Sequence, residues 1–231
     1  MLRMNRFSEK GKRQNNERKQ AIKYYLSVEG QTEKWYFENL KKLINQEVRA
    51  KRNVNFTIKV SQNPVKVAKS ISTISKTVLY HITDYEGNQQ SNITAFHNMI
   101  DKIDQAEKLG KNIECKLGYS NLSFDLWVVL HKSECNSSFS SPKSYLSKIN
   151  DGYNTKYEDM DSYKEEKQFK KLLEKISLDD VVFAVKRSEM IMKQNQRSIS
   201  PVIYNGHSYY KENPSLSVWE VVNKILTDCS I

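Results

Sequence analysis

Cysteine is scarce in this chain, and its few thiols stand far apart. Cys115, Cys135 and Cys229 form no CxxC pair, so a zinc ribbon has no ligand spacing to build on, and a reducing compartment is the simple reading. Long apolar runs are missing too: no stretch approaches the roughly 18 apolar residues that span a bilayer. The opening Met1-Leu2-Arg3-Met4-Asn5-Arg6 has no apolar core behind it, so no secretory leader is expected, and a cytoplasmic protein without membrane attachment is. A Gly-rich phosphate loop is absent, so the chain is not expected to be an ATPase itself. A nucleophile elbow is absent as well, which leaves a serine or cysteine hydrolase without support. No internal repeat is visible.

What is present is basic charge. Among 231 residues, 37 Lys and Arg face 27 Asp and Glu, for a net charge of +10. The length suits one α/β domain with an appendage, or two small domains. The excess favours an anionic partner, nucleic acid first, although a merely soluble basic surface also fits. Residues 1–20 carry much of it (Arg3, Arg6, Lys10, Lys12, Arg13, Arg18, Lys19) without an apolar face, and are expected to be a flexible basic arm.

Order is expected from Tyr24-Tyr25-Leu26-Ser27-Val28, a short buried strand before Gly30. Thr32 then suits a helix cap, and Tyr36, Leu40, Leu43 and Ile44 fall at helical spacing to about Val48. Val54, Phe56, Ile58 and Val60 alternate as in a strand. Asn63-Pro64 reads as a cap followed by a first helical proline, with Val67, Ile71 and Ile74 as that helix's face. Val78 to Ile82 is a third strand, ending in the polar turn Thr83-Asp84-Tyr85-Glu86-Gly87-Asn88. A helix from about Ser91 to Leu109, stopped by Gly110, and a strand from Asn112 to Leu117 follow. Such alternation predicts a parallel sheet with helices on its faces. Beyond it, Ser123 to His131 reads as a buried helix, and further helices are expected near 143–149, 162–176, 179–194 and 215–227, with a loop over 195–214. The predicted division is therefore an arm (1–20), an α/β core (21–133) and a mainly helical C-terminal region packing on the core (134–231).

Glu29 follows the first strand directly, and Asp84 and Glu86 end the third. A parallel sheet brings such positions to one edge, where ligands bind. Converging carboxylates repel unless a positive group neutralises them, and a hard divalent cation does this well. In an extended turn, Asp-x-Glu puts both acids on one side, because strand side chains have period two. Taken singly, Glu29 also suits a helix dipole and Asp84–Asn88 an ordinary polar turn. Taken together and in register, they favour metal binding.

The residues now resemble a family. Val28-Glu29-Gly30-Gln31-Thr32-Glu33 with Tyr36-Phe37 looks like the first motif of Toprim domains, specifically of RloB-like proteins. Asp84-Tyr85-Glu86 stands where that family carries Asp-x-Asp. Tyr119 to Trp127 with His131 is similar to its signature Ser-Asn-Pro-x-Phe-Glu-Leu-Trp and downstream His; Leu122 replaces the Pro and Asp125 the Glu. Ala184-Val185-Lys186-Arg187 and Asn213-Pro214-Ser215 match further features, so the resemblance covers about residues 22–227.

The resemblance implies a Toprim-like α/β core and a metal-dependent nuclease that hydrolyses phosphodiesters in RNA, such as tRNA, or in DNA. It also implies a place in bacterial anti-phage defence by abortive infection, beside an AAA-type ATPase partner. A homo-oligomer is compatible with it. On this reading Glu29, Asp84 and Glu86 hold Mg²⁺ or Mn²⁺, and Glu29 is alternatively a general base or acid. Asp125 completes the metal shell or orients a ligand, or serves as a dipole partner at a helix start. His131 handles a proton, or only caps and packs. Lys186 and Arg187 meet the phosphate backbone, or are a solvated face. Ser120 and Asn121 orient Asp125 or contact substrate, or form a plain turn. The competing reading is a non-catalytic nucleic-acid-binding or sensor subunit of such a complex.

Overall fold

The computed structural model describes residues 19–231. The basic arm expected over 1–20 lies outside the described residues up to residue 18. Among the described residues, no helix is long and apolar enough to cross a membrane, and the three cysteines are free and buried.

The first four strands alternate with helices: β1 (Ala21–Val28), α1 (Gln31–Gln46), β2 (Asn53–Val60), α2 (Pro64–Ser70), β3 (Thr77–Asp84), α3 (Gln90–Glu107) and β4 (Ile113–Asn121). The strands pair in parallel in the order β2-β1-β3-β4, and β7 (Ser215–Leu216) adds an antiparallel edge to β4. Strand alternation divides the apolar side chains between two faces. Tyr24, Leu26, Val28, Tyr80 and Ile82 join Tyr36, Phe37, Leu40 and Ile44 of α1 and the C-terminal helices in one core. Leu79 and Cys115 join Val67 of α2 and Phe96, Ile100 and Ile103 of α3 in the other. The expected architecture is therefore present: a mostly parallel sheet flanked by helices, followed by a largely helical C-terminal part.

The position of the site follows from the strand order. The chain leaves β1 by α1 on one face and leaves the neighbouring β3 by α3 on the other. At such a reversal the helices diverge, and a crevice opens beyond the carboxyl ends of the two strands. Register brings those ends level, with Val28 opposite Ile82.

The C-terminal part contains α4 (Asp125–Leu130), α5 (Tyr145–Tyr153), α6 (Met160–Lys164), α7 (Glu166–Leu173), α8 (Leu178–Ser198) and α9 (Val218–Asp228). All six residues of α4 are buried, with Trp127 at its centre. Full burial of each apolar side chain stabilises by roughly 1.5–3 kcal/mol, so this short helix is held by packing rather than by propensity.

Several local expectations are corrected. The cap of α1 is Gly30, and the Thr32 hydroxyl donates to Glu33 instead. The helix after Pro64 stops at Ser70, which leaves Ile74 fully exposed. The helix expected over 162–176 is two, broken at Glu165, whose extended backbone (φ −58°, ψ 134°) cannot continue a helix. The stretch expected as a loop over 195–214 contains the end of α8 and a hairpin of β5 (Val202–Tyr204) and β6 (His207–Tyr209). Its turn is Asn205-Gly206, both at positive φ (48° and 81°), the signature of a tight hairpin. The hairpin straps α3: Tyr204 stacks on His97 at 3.8 Å, and His207 meets Asp104 at 3.2 Å.

Candidate functional site

Glu29, the first residue past β1, points along the β1–β3 seam. Its Oε2 accepts from the Thr83 hydroxyl at 2.8 Å and from the Asp84 backbone amide at 3.1 Å; its Oε1 accepts from Gln62 at 3.3 Å. The two acids expected to converge are thus joined directly through the backbone of one of them.

Two further carboxylates come from the other side of the seam. Glu33, in the first turn of α1, is 5% exposed, and its Oε2 accepts from the Gly30 amide and the Thr32 hydroxyl, each at 3.1 Å. Asp125 opens α4, is 2% exposed, and accepts from the Ser123 hydroxyl at 2.8 Å. Lys164, from the end of α6, reaches Asp125 at 3.0 Å.

These groups press on one another. Burial raises the Asp84 carboxyl well above the usual carboxylate range, and Glu33, Glu29 and Asp125 push it further; Lys164 offsets part of this. Burial likewise raises Glu33, with Asp125 and Glu29 adding to it against the hydrogen bonds that favour its charge. At Lys164 burial opposes the charge, but Asp125, Asp84 and Glu33 hold the ammonium above its ordinary value. Four acids against one lysine leave the cluster short of positive charge. Asp84 Oδ1 is buried and has no hydrogen-bond partner among the described residues, a costly condition that a ligand removes.

An all-oxygen donor set with an orphaned carboxylate oxygen fits a hard divalent cation. Among the described residues no three His, Cys, Asp or Glu side chains stand ready as a metal-holding group. Mg²⁺ does not demand one: it is commonly bound through one or two carboxylates, keeping waters and substrate phosphates as its other ligands. Asp84 with Glu29 or Glu33 would be the residues to hold it.

The cluster borders a cleft of about 370 Å³ on the α3 side, lined by Glu29, Gln62, His81, Asp84, Asn98 and Lys102 among others. Glu86 stands at its rim, but not in the way expected. Strand geometry ends at Asp84, and Glu86 adopts a left-handed backbone (φ 59°) with an exposed side chain. Period two therefore does not place it beside Asp84, and the acids that press on Asp84 are Glu33, Glu29 and Asp125.

Four other expectations are corrected, three by burial and one by hydrogen bonding. His131 is sealed in the core, its Nδ1 bonded to the Trp127 carbonyl (2.8 Å) and its Nε2 to the Tyr36 hydroxyl (3.2 Å). Burial lowers its pKa to about 4, so it is a neutral packing group without access to substrate. Ser120 and Asn121 are fully buried and cannot meet nucleic acid; Asn121 holds the C-terminal segment by donating to the carbonyls of Tyr210 (3.3 Å) and Lys211 (2.9 Å). Arg187 turns inward and caps α4, donating to the carbonyls of Leu130 (2.7 Å) and His131 (3.1 Å). Lys186 alone of that pair stays on the exposed face of α8, over the Phe183 ring.

Sequence reasoning missed Glu33 and Lys164. Glu33 had a signal: it stands three residues after Gly30, the position from which a glutamate reaches back to the amide of a helix cap, but an acid in a first turn also has a dipole explanation. Lys164 had none, because only the folding of α6 onto α4 brings it to Asp125.

No curated protein and no solved structure matches the chain. A sequence model described as RloB-like protein matches residues 24–225, nearly the whole chain, spanning the sheet, the acidic seam and the helices that cover it. The chain belongs to the RloB-like protein family.

Proposed function

We propose that the chain is a metal-dependent phosphodiesterase acting on nucleic acid, with Mg²⁺ or Mn²⁺ held by Asp84 together with Glu29 or Glu33. The observation that carries this reading is Asp84: a carboxylate with a buried, unpartnered oxygen, wedged among three other acids at the switch point of a parallel sheet. A cation bound there polarises a phosphate and lowers the pKa of an attacking water. The rest falls to the chain. Glu29, fixed by Thr83 and the Asp84 amide, presents one carboxylate edge to the cleft, where it can take a proton from water. Lys164 would steady negative charge developing on a phosphate. Asp125 positions Lys164, and Ser123 positions Asp125. The net charge of +10 favours a polyanionic substrate. Membership of the RloB-like family supports a role in bacterial anti-phage defence with an AAA-type ATPase partner, and both belong to the proposal.

A second reading is favoured by one contact. Lys164 already supplies a cation to Asp125, as it would in a nucleic-acid-binding or sensor subunit that cleaves nothing. The deciding experiment incubates the purified protein, alone and with its genomic-neighbour ATPase, with tRNA, other RNA and DNA. We expect cleavage that needs Mg²⁺ or Mn²⁺ and disappears in Glu29→Gln and Asp84→Asn. Cleavage that survives EDTA and both substitutions rules out the metal mechanism. Binding without cleavage of any substrate, partner present, favours the second reading.

A further inference from the structure

On the α3 side of the seam, period two brings Ser27 and Glu29 from β1 next to His81 and Thr83 from β3. His81 is 1% exposed, yet it lines the cleft. Its Nδ1 lies 3.0 Å from the Ser27 hydroxyl, which itself donates to the Ser61 carbonyl at 3.2 Å. A serine hydroxyl has one hydrogen, and Ser61 takes it. Ser27 Oγ therefore accepts from Nδ1–H, and His81 Nε2 is the bare acceptor nitrogen. Among the described residues no protein group bonds that nitrogen. Burial and the nearby Lys102 lower the pKa of this imidazole to about 4, which keeps it neutral.

The cleft thus has a fixed acceptor at its base and a cation at its wall. Lys102 forms no ion pair among the described residues, and the Asn98 amide stands one helical turn away on α3. Phe96 and Met99 give the same wall an apolar part. A nucleotide unit carries the complementary groups: a phosphate for the lysine, a flat base for the apolar wall, and an N–H or O–H donor on base or ribose for the imidazole.

We propose that this cleft is the subsite for one nucleotide of a single-stranded nucleic acid, with its backbone phosphate on Lys102 and a base amine or ribose hydroxyl donating to His81 Nε2. The inference rests on the nucleic-acid reading of the adjoining acids and adds residues to it. Neither His81 nor Lys102 touches the acid cluster's own hydrogen bonds, so their loss separates binding from chemistry.

The test is fluorescence anisotropy of the full chain, in EDTA, with labelled short single-stranded RNA and the same sequence as DNA, across a series of salt concentrations. Lys102→Ala is expected to weaken binding about fivefold and to reduce the salt slope by about one phosphate contact. Lys42→Ala, an exposed lysine on the opposite face, controls for bulk charge and should stay within about twofold. His81→Phe, which keeps the volume and removes the acceptor, should weaken binding about fivefold, the worth of one hydrogen bond. His81→Gln, which restores an acceptor, should recover most of that. Circular dichroism and thermal midpoint confirm folding of each variant. A deficit at His81 confined to RNA assigns the donor to the ribose hydroxyl; one shared by RNA and DNA assigns it to a base. Equal weakening by Lys102→Ala and Lys42→Ala, or wild-type binding by His81→Phe, overturns the subsite. If the binding effects appear but wild type cleaves nothing with Mg²⁺, the nuclease reading fails and the subsite stands. If wild type cleaves and neither Lys102→Ala nor His81→Phe alters binding or cleavage, the subsite fails and the nuclease reading stands.

Discussion

The backbone amide of Asp84 donates to the carboxylate of Glu29 across 3.1 Å, so the last residue of β3 holds in place the acid that follows β1. One carboxylate is thereby oriented by the main chain of another. The arrangement survives loss of the Asp84 side-chain charge, which makes that charge testable by itself.

Asp84→Asn should leave the Glu29 contact intact and remove the repulsion that Glu33, Glu29 and Asp125 exert on the Asp84 charge. Because the folded-state pKa of Asp84 is raised, the folded chain binds more protons than the unfolded one between the ordinary carboxylate value and the raised one. Stability from this group therefore falls as pH rises through that window. In EDTA the variant should be more stable than wild type at neutral pH, with the advantage shrinking on acidification. Urea midpoints across pH check this; a variant less stable than wild type at neutral pH contradicts it.

His131 titrates in the opposite sense. Its folded pKa of about 4 lies below the ordinary 6.5, so it contributes stability above pH 6.5 that is lost as pH falls toward 4. One such group accounts for about 3 kcal/mol across the window, and His81, lowered in the same way, adds to it. His131→Phe should flatten the acid limb of the stability curve. It should also lose the Tyr36 bond, costing about 1 kcal/mol at neutral pH, while nucleic-acid binding stays at the wild-type level. Denaturation at a series of pH values is the measurement.

Gly30 stands where a Cβ would lie 2.9 Å from Glu33 Oε2. Its φ of −131° suits any residue, so Gly30→Ala strains no backbone and acts through Glu33 alone. The substitution should displace that carboxylate, cost about 1 kcal/mol of stability, and weaken Mn²⁺ binding measured by calorimetry.

Arg187 and Lys186 are neighbours in sequence with different expected effects. Arg187→Ala removes two charge-assisted bonds to the end of α4 and should destabilise the chain by about 2 kcal/mol. Lys186→Ala, on the exposed face, should change stability by less than about 0.5 kcal/mol. Thermal denaturation of the two variants separates the roles.

The sheet was legible in the sequence because periodicity is a local property. The apolar run ending at Val28 and the alternation from Val54 to Val60 depend on residues within one element, and so does the Asn63-Pro64 helix start. Glu29 and Asp84 were legible for the same reason, since each directly ends a readable strand. Asn205-Gly206 was a readable turn as well, but its flanking strands have only three residues each, too few for their alternation to stand out. Glu86 misled because period two holds only while the strand lasts, and the strand ends at Asp84.

Sequence alone determined the strand–helix alternation, the acids at the carboxyl ends of β1 and β3, and the basic surplus. Tertiary structure decided which charged groups share one environment. Burial separates His131, Ser120 and Asn121 from the site although all three lie near Asp125 in the chain, and hydrogen bonds to the end of α4 hold Arg187. Packing of α6 on α4 brings Lys164 to Asp125 from 39 residues away (164 less 125). The physical reason is that desolvation and Coulomb coupling depend on distance through space, which chain order does not encode.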